Sequence, residues 1–544
     1  MDDNLRRRAE EWLAQDPDPE TREELRAILA ADDGDALTAR FAAKLEFGTA
    51  GLRGELGAGP NRMNRVTVLR AAAGLAAVLG PGRRVVIGYD ARYKSDVFAR
   101  DTAALLSGAG IRADVLPRPL PTPVLAFAVR HLDADAGVMV TASHNPPRDN
   151  GYKVYWGDGR QIVPPIDKRI SAAIDAVGRV DTLPRGDWNL LGEEIVDAYL
   201  AAVTPLALGD ARDLRVAYTP LHGVGADTLE RAFAAAGFPA PRTVPSQHAP
   251  DPAFPTVAFP NPEEPGAMDL ALDLAHRIDA DIVLANDPDA DRCAVGVRTP
   301  DGHRMLTGDE LGGLLAEHVL RHTSGPGRLV ATTIVSSSLL SRIAAEHGVG
   351  CAQTLTGFKW ITRAGGDDAR LVYGYEEALG YSVGTDAGLP VRDKDGIGTA
   401  LAVAALAADA KRAGRTLLDL LDDQARRYGL HATSQLSIRV ADLSLIEAAM
   451  DRLRSAPPTR IGEHAVEAAE DLRTGSADLP PADVLRYRLA GGARVVVRPS
   501  GTEPKLKCYL EAVVPVTATV EEARARAAQS LKEMEHDLSA RLAL

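Results

Sequence analysis

Cysteine is nearly absent. Cys293, Cys351 and Cys508 are the only three in 544 residues, far apart and without a CxxC pair. That pattern excludes a disulfide framework and a cysteine zinc site, and it fits a reducing compartment. Long apolar runs are missing too, and none approaches the roughly 20 residues that a membrane-crossing helix needs. The opening "MDDNLRRRAEEWLAQ" is charged and lacks the apolar segment of a signal peptide. A soluble, cytoplasmic protein with no membrane partner is therefore expected. Basic charge is in deficit, with 62 Lys and Arg against 75 Asp and Glu for a net −13. That balance argues against a nucleic-acid partner and leaves room for local basic sites that take a small anion. The G-x-S-x-G elbow of serine hydrolases is absent as well.

What is present is ordinary globular composition, 45% hydrophobic and 25% charged, in a chain too long for one core. Length alone suggests three or four domains. The first forty residues read as helices, with Asp18 or Thr21 as an N-cap ahead of Glu24. From Arg84 short apolar strands alternate with Ala-rich helical stretches: "RRVVIGYD", "SDVFARDTAALLSGAG", "IRADVL", "GVMVTAS". This alternation implies an α/β fold with parallel strands and crossover helices. The same grammar restarts at "DLRVAYTPLHGVGADTLERAFAAAGF" and again at "RLVATTIVSSSLLSRIAAEHG". Pro- and Gly-containing stretches near 205–213 and 301–308 mark boundaries. After about residue 430 the texture becomes that of a smaller α+β domain, ending in a helix from Val520 to Leu542.

Four loops follow apolar strands, where ligands bind in open α/β sheets. In "GVMVTASHNPPRDNGYKVYW" the apolar run stops at Ser143, with His144 beside it and Lys153 downstream. The serine either ends a strand in a Pro-stiffened turn or carries a phosphoryl group. In "NDPDADR", Asp287, Asp289 and Asp291 alternate, so an extended segment would face them one way. Three carboxylates repel unless a cation neutralises them. An EF-hand needs Gly at its sixth position, where this loop has Arg292, so oxygen ligation with phosphate favours Mg2+. In "GYEEALGY", Glu376 and Glu377 either read sugar hydroxyls or open a helix. In "VVVRPSGTEPKLKCYL", Arg498, Ser500, Gly501, Thr502 and Lys505 make a phosphate cradle or a polar hairpin. Arg53 in "FGTAGLRG", Lys359 in "FKW" and Lys394 in "RDKDG" complete the set.

Together these loops offer a phosphate acceptor, a metal site, a polyol reader and a second phosphate site. With "GTAGLRG", "TASHNPPRDNGYK", "DPDADR", "GYEEALGY" and "RPSGTEPK" in order, the chain closely resembles the α-D-phosphohexomutase family from about residue 40 onward. It looks most like the branch related to phosphoglucomutase-2 and phosphopentomutase. The resemblance implies four domains around a central cleft: 1–205, 206–304, 305–430 and a smaller one over 431–544. It implies phosphoserine at Ser143, with Mg2+ held by the serine phosphate and Asp287, Asp289 and Asp291. Arg53, Lys153, His144 and Arg292 would serve the reacting end, with Lys153 as acid/base. Gly357, Lys359, Glu376, Ala378 and Lys394 would meet the substrate. Arg498, Ser500, Gly501, Thr502 and Lys505 would hold its idle phosphate. Small sugar phosphates would be the partners, and glucose 1,6-bisphosphate the activator and intermediate between glucose 1-phosphate and glucose 6-phosphate. Phosphopentomutase, phosphomannomutase and a phosphosugar hydrolase are the alternatives. Many hexose-specific members have a hydroxyl residue where this chain has Ala378, which weakens a glucose-only reading. Oligomeric state is left open.

Overall fold

The computed structural model describes residues 3–366, 369–440, 442–500 and 505–542. Two compact units emerge: Met1–Leu306 with Gly380–Asp409, and Thr307–Leu379 with Ala410–Leu544.

The first unit begins with helices Asp3–Leu13, Pro19–Ala30 and Gly34–Phe41. Asp18, not Thr21, caps the second: its carboxylate accepts the Glu20 amide at 3.1 Å, ahead of Pro19 at the first helical position. Thr21 instead donates its hydroxyl to Asp16. Trp12 and Phe41 are buried and meet edge to face, 6.1 Å apart.

Its first sheet joins β1 (Leu52–Glu55), β2 (Arg84–Tyr89), β3 (Arg112–Val115), β4 (Ala136–Val140), β5 (Asp149–Trp156) and β6 (Asn189–Leu190). The spatial order is β1-β5-β4-β2-β3-β6. β2 runs parallel to both β3 and β4, joined through helices Ser95–Gly108 and Thr122–His131. β4 is buried along its whole length, as a central strand covered on both faces must be. β5 then turns back antiparallel to β4, with Lys153 opposite Met139. β1 lies antiparallel to β5, pairing Arg53 with Gly151. Gly51, at φ +77°, lies against the Tyr152 carbonyl, where a Cβ would overlap it.

A second sheet holds β7 (Val216–Thr219), β8 (Arg242–Thr243), β9 (Ile282–Ala285), β10 (Ala294–Thr299) and β11 (Gly302–Met305), ordered β11-β10-β9-β7-β8. The acidic loop is the connection between β9 and its antiparallel neighbour β10.

In the second unit β12 (Arg328–Thr333), β13 (Gly350–Thr354) and β14 (Arg370–Glu376) pair in parallel, with β12 in the middle. β15 (Gly380–Val383) belongs to the first unit. The C-terminal sheet comprises β16 (Leu430–Arg439), β17 (Arg460–Ile461), β18 (His464–Asp471), β19 (Leu485–Leu489), β20 (Arg494–Pro499) and β21 (Lys505–Val514). It is antiparallel throughout, in the order β16-β21-β20-β19-β18-β17. β18 alternates half-buried and exposed residues, the signature of a sheet with one wet face. Helix Val520–Leu542 covers the other face with Ala527, Met534 and Leu538, each fully buried.

Candidate active site

β4 ends at Val140, so Ser143 stands three residues beyond the strand. Its φ is +52°, a left-handed conformation that costs a non-glycine residue about 1–3 kcal/mol. Thr141 Oγ1 accepts the Ser143 amide at 2.8 Å. The Ser143 hydroxyl donates to Asp287 Oδ2 at 2.9 Å and lies 3.2 Å from His144 Nδ1. Beneath the loop Arg92, 4% exposed, donates to the carbonyls of Ser143 and Asn145 at 2.6 Å each. The same guanidinium reaches the carbonyls of Pro146 at 2.8 Å and Asp149 at 3.1 Å. One planar group thus fixes four carbonyls of the serine loop.

The acidic loop brings Asp287, Asp289 and Asp291 together by a turn, not by an extended alternation. Ala290, at φ +54°, reverses the chain, and one oxygen from each carboxylate falls within a common 4.8 Å. Lys153 Nζ meets Asp289 at 2.9 Å and Asp291 at 3.2 Å, and Lys394 Nζ meets Asp291 at 3.1 Å. Thr122 adds a hydroxyl to Asp289 Oδ2 at 2.7 Å, and the Arg292 amide binds Asp287 Oδ1 at 3.0 Å. Asp289 Oδ1 and Asp291 Oδ1 remain buried with no hydrogen-bond partner among the described residues. Unpartnered anionic oxygens at a convergent oxygen-only site fit a hard divalent cation such as Mg2+. Burial, with Asp289 and Asp291 adjacent, holds the Asp287 carboxyl well above the carboxylate range. Burial would raise Asp289 too, but Lys153 outweighs it and the group stays ionised.

Around this centre lie the other first-unit residues. Burial lowers the Lys153 pKa, but Asp289 and Asp291 more than reverse this, so it remains an ammonium. Burial and then Arg292 and Arg53 keep His144 neutral. Arg53 donates to Asn145 Oδ1 at 3.2 Å, and Arg292 pairs with Glu263 at 3.2 Å. Ser143, His144, Lys153, Arg53, Arg292, Lys394 and the three aspartates thus belong to one compact unit.

The remaining candidates lie in the second unit. Glu376 ends β14, and Glu377, Ala378 and Leu379 form a turn, so no helix starts there. Glu377 accepts the Ser336 hydroxyl at 2.9 Å. Gly357, at φ +110°, opens the short helix Phe358–Ile361 that carries Lys359. The flanking Thr356 and Trp360 line a cavity of about 300 Å³ together with Arg498 and Ser500. Ser500 and Lys505 face each other across the β20–β21 hairpin, the Ser500 amide bonding the Lys505 carbonyl at 2.8 Å. Gly501 and Thr502 lie outside the described residues.

Burial, then Glu376 and Asp309, push the Glu377 carboxyl from its usual 4.5 up to about 7. A raised acid weakens the folded state as pH climbs from the unfolded value to the folded one, and the loss levels off above it. Glu377→Gln, which cannot ionise, should therefore gain stability relative to wild type between pH 4.5 and about 7. Thermal midpoints at pH 5 and pH 8 check this, and an equal difference at both would contradict it.

Known proteins resemble this chain in sequence and fold. The family described as phosphoglucomutase/phosphomannomutase matches in four parts: alpha/beta/alpha domain I over residues 44–180, domain II over 197–302, domain III over 307–428, and the C-terminal domain over 438–529. A Haemophilus influenzae protein named "Probable phosphomannomutase" is 47% identical, over 83% of this chain and 93% of its own. This chain belongs to the phosphoglucomutase/phosphomannomutase family. The mouse phosphopentomutase is 34% identical over 95% of this chain and 91% of its own. A crystal structure from Thermus thermophilus, "putative phosphomannomutase", superposes with a TM-score of 0.69 at 27% identity, covering 90% of this chain and 99% of that one. The protein is a phosphosugar mutase, an isomerase of four α/β-type domains. Among the described residues no helix is long and apolar enough to cross a membrane.

Proposed function

We propose that the chain interconverts glucose 1-phosphate and glucose 6-phosphate through a phosphoryl group carried on Ser143, with glucose 1,6-bisphosphate as the bound intermediate. The observation that carries this reading is the Ser143 hydroxyl, 2.9 Å from a three-aspartate cluster with two unpartnered buried oxygens. Asp287, Asp289 and Asp291 would hold Mg2+ with the serine oxygen or its phosphate. Bound there, the ion would neutralise charge on the transferring group.

In the forward step the serine Oγ–P bond breaks and a bond forms from phosphorus to a sugar hydroxyl oxygen. The hydroxyl proton leaves to a base, for which neutral His144 is suited, and Lys153 donates a proton to the departing serine oxygen. Arg53 and Arg292 neutralise phosphate oxygens, and Lys394 stands beside the same centre. The bisphosphate then turns end for end and Ser143 takes back the other phosphate. Positioning and preorganised charge supply most of the acceleration.

Gly357, Lys359, Glu376 and Ala378 would read the sugar. Arg498, Ser500, Gly501, Thr502 and Lys505 would hold the phosphate not being transferred. Arg498→Ala should then lose about 1.5–3 kcal/mol, the scale of a hydrogen bond to a charged group, or about ten- to a hundredfold in affinity. Arg498→Lys should recover only part, because an ammonium lacks the guanidinium fork. KM and kcat for glucose 1-phosphate measure this, and wild-type values in the alanine variant would reduce the loop to a strand connection.

Pentose phosphates are the second reading. Full-length relatives named phosphopentomutase and phosphoribomutase favour it, as does the missing hydroxyl at Ala378. Turnover of glucose, mannose and ribose 1-phosphates, each with and without its bisphosphate, tests both, with released phosphate measured in parallel. Stoichiometric phosphate release without isomerisation would make the protein a hydrolase and end the mutase reading.

A further inference from the structure

Lined by none of the three aspartates, a second, open-sided cavity of about 310 Å³ lies within the first unit, walled in part by the N-terminal helices. Helix Asp3–Leu13 lends it Arg8 and Trp12, and helix Arg65–Leu79 lends Arg70. Phe41, Phe47 and Leu52 supply apolar wall. Its acids are already neutralised, since Glu11 pairs with Arg7 at 2.6 Å and Asp175 pairs with Lys44. Arg8 and Arg70 are half-buried, and neither side chain has an ion-pair or hydrogen-bond partner among the described residues. Trp12 is 8% exposed, and its indole N–H is buried without a partner, a donor the fold leaves unused.

Two unpaired guanidinium groups on an aromatic-lined cavity have a specific chemistry. Arginine binds carboxylate and phosphate oxygens as a fork, and the aromatic walls take a flat ring. We infer that this cavity binds a small organic anion bearing an apolar ring, and that its occupancy is felt at Arg53. The link is β1. Leu52 lines the cavity, and Arg53 follows it in the strand, so the two project to opposite faces. A ligand leaning on Leu52 therefore acts on the residue that reaches the serine loop through Asn145.

The probe is 8-anilinonaphthalene-1-sulfonate, titrated by fluorescence and calorimetry into the full chain. Affinity should fall about tenfold or more in the Arg8→Gln/Arg70→Gln double variant, from lost charge-assisted hydrogen bonds. Arg70→Lys should recover only part of the loss seen in Arg70→Gln, because the ammonium keeps the charge and lacks the fork, and the neutral N-phenyl-1-naphthylamine should bind the wild type and the double variant alike. Saturating probe should shift KM for the 1-phosphate substrate in wild type and leave the double variant unmoved. AMP and 1-naphthoate compete for the probe as separate arms, and the stronger competitor identifies a nucleotide or an aryl carboxylate as the source. Equal probe affinity in wild type and a double variant of unchanged thermal midpoint would overturn the site, as would displacement by neither competitor. An unchanged KM at saturation would overturn the link to Arg53.

Discussion

Ser143→Ala is expected to remove mutase turnover by on the order of 10⁴- to 10⁶-fold, the scale seen when a covalent nucleophile is deleted. Its loop should survive, because Arg92 holds it through backbone carbonyls and not through the hydroxyl. Thr141 likewise binds the Ser143 amide, which alanine keeps. Intact mass should show one phosphoryl group on the wild type, restored by added bisphosphate, and none on the variant. A Ser143→Gly comparison separates chemistry from strain. Glycine relieves the φ of +52° that alanine retains, so Ser143→Gly should be more stable than Ser143→Ala by about 1 kcal/mol, and equally inactive. Substantial turnover by either variant would remove the phosphoserine step.

The reason Ser143 could be picked out from sequence is that its context is local: an apolar strand, a stiff turn and a lysine ten residues on. The same holds for the three aspartates and for the hairpin carrying Arg498, whose residue types are compressed into short segments. Arg92 was invisible by comparison. It is a single arginine in "DARYKS", and its four carbonyl partners lie 51 to 57 residues away. Thr122 and Ser336 carry no local signal for the same reason, since they act on Asp289 and Glu377 from other elements, 167 and 41 residues distant. Alternation placed the acidic side chains on one face, but the chain achieves this with a left-handed turn at Ala290, which periodicity does not encode. Nor does a helix begin at Glu376, although two adjacent acids satisfy the usual signal for one. The strand continues to that residue because "RLVYGY" is apolar and β-favouring, and its tyrosines are fully buried. The return of Gly380–Asp409 to the first unit is a tertiary choice with no composition shift to announce it.

Lys153→Met should lower kcat by about 10²- to 10⁴-fold, the range for a positioned acid or base, while raising the affinity for Mg2+. The two effects follow from one contact. Lys153 Nζ sits 2.9 Å from Asp289 Oδ2 and 3.2 Å from Asp291 Oδ2, so its positive charge competes with a metal for the same carboxylates. Methionine keeps the length and apolar stem, removes the competing charge, and takes away the ammonium to which the proposed mechanism assigns proton donation. Lys394 still neutralises Asp291 at 3.1 Å, which limits the damage to folding. Single-turnover transfer from the phosphorylated enzyme isolates the chemical step, and calorimetric titration with Mg2+ reads the metal. Were Lys153 only a structural counter-ion, metal binding would tighten while the transfer rate stayed near wild type. Were it only an acid/base group remote from the metal, the rate would fall with Mg2+ affinity unchanged. An opposed shift in both quantities is expected if the proposed roles hold, because the one ammonium bonds oxygens of the aspartate cluster that could hold the metal.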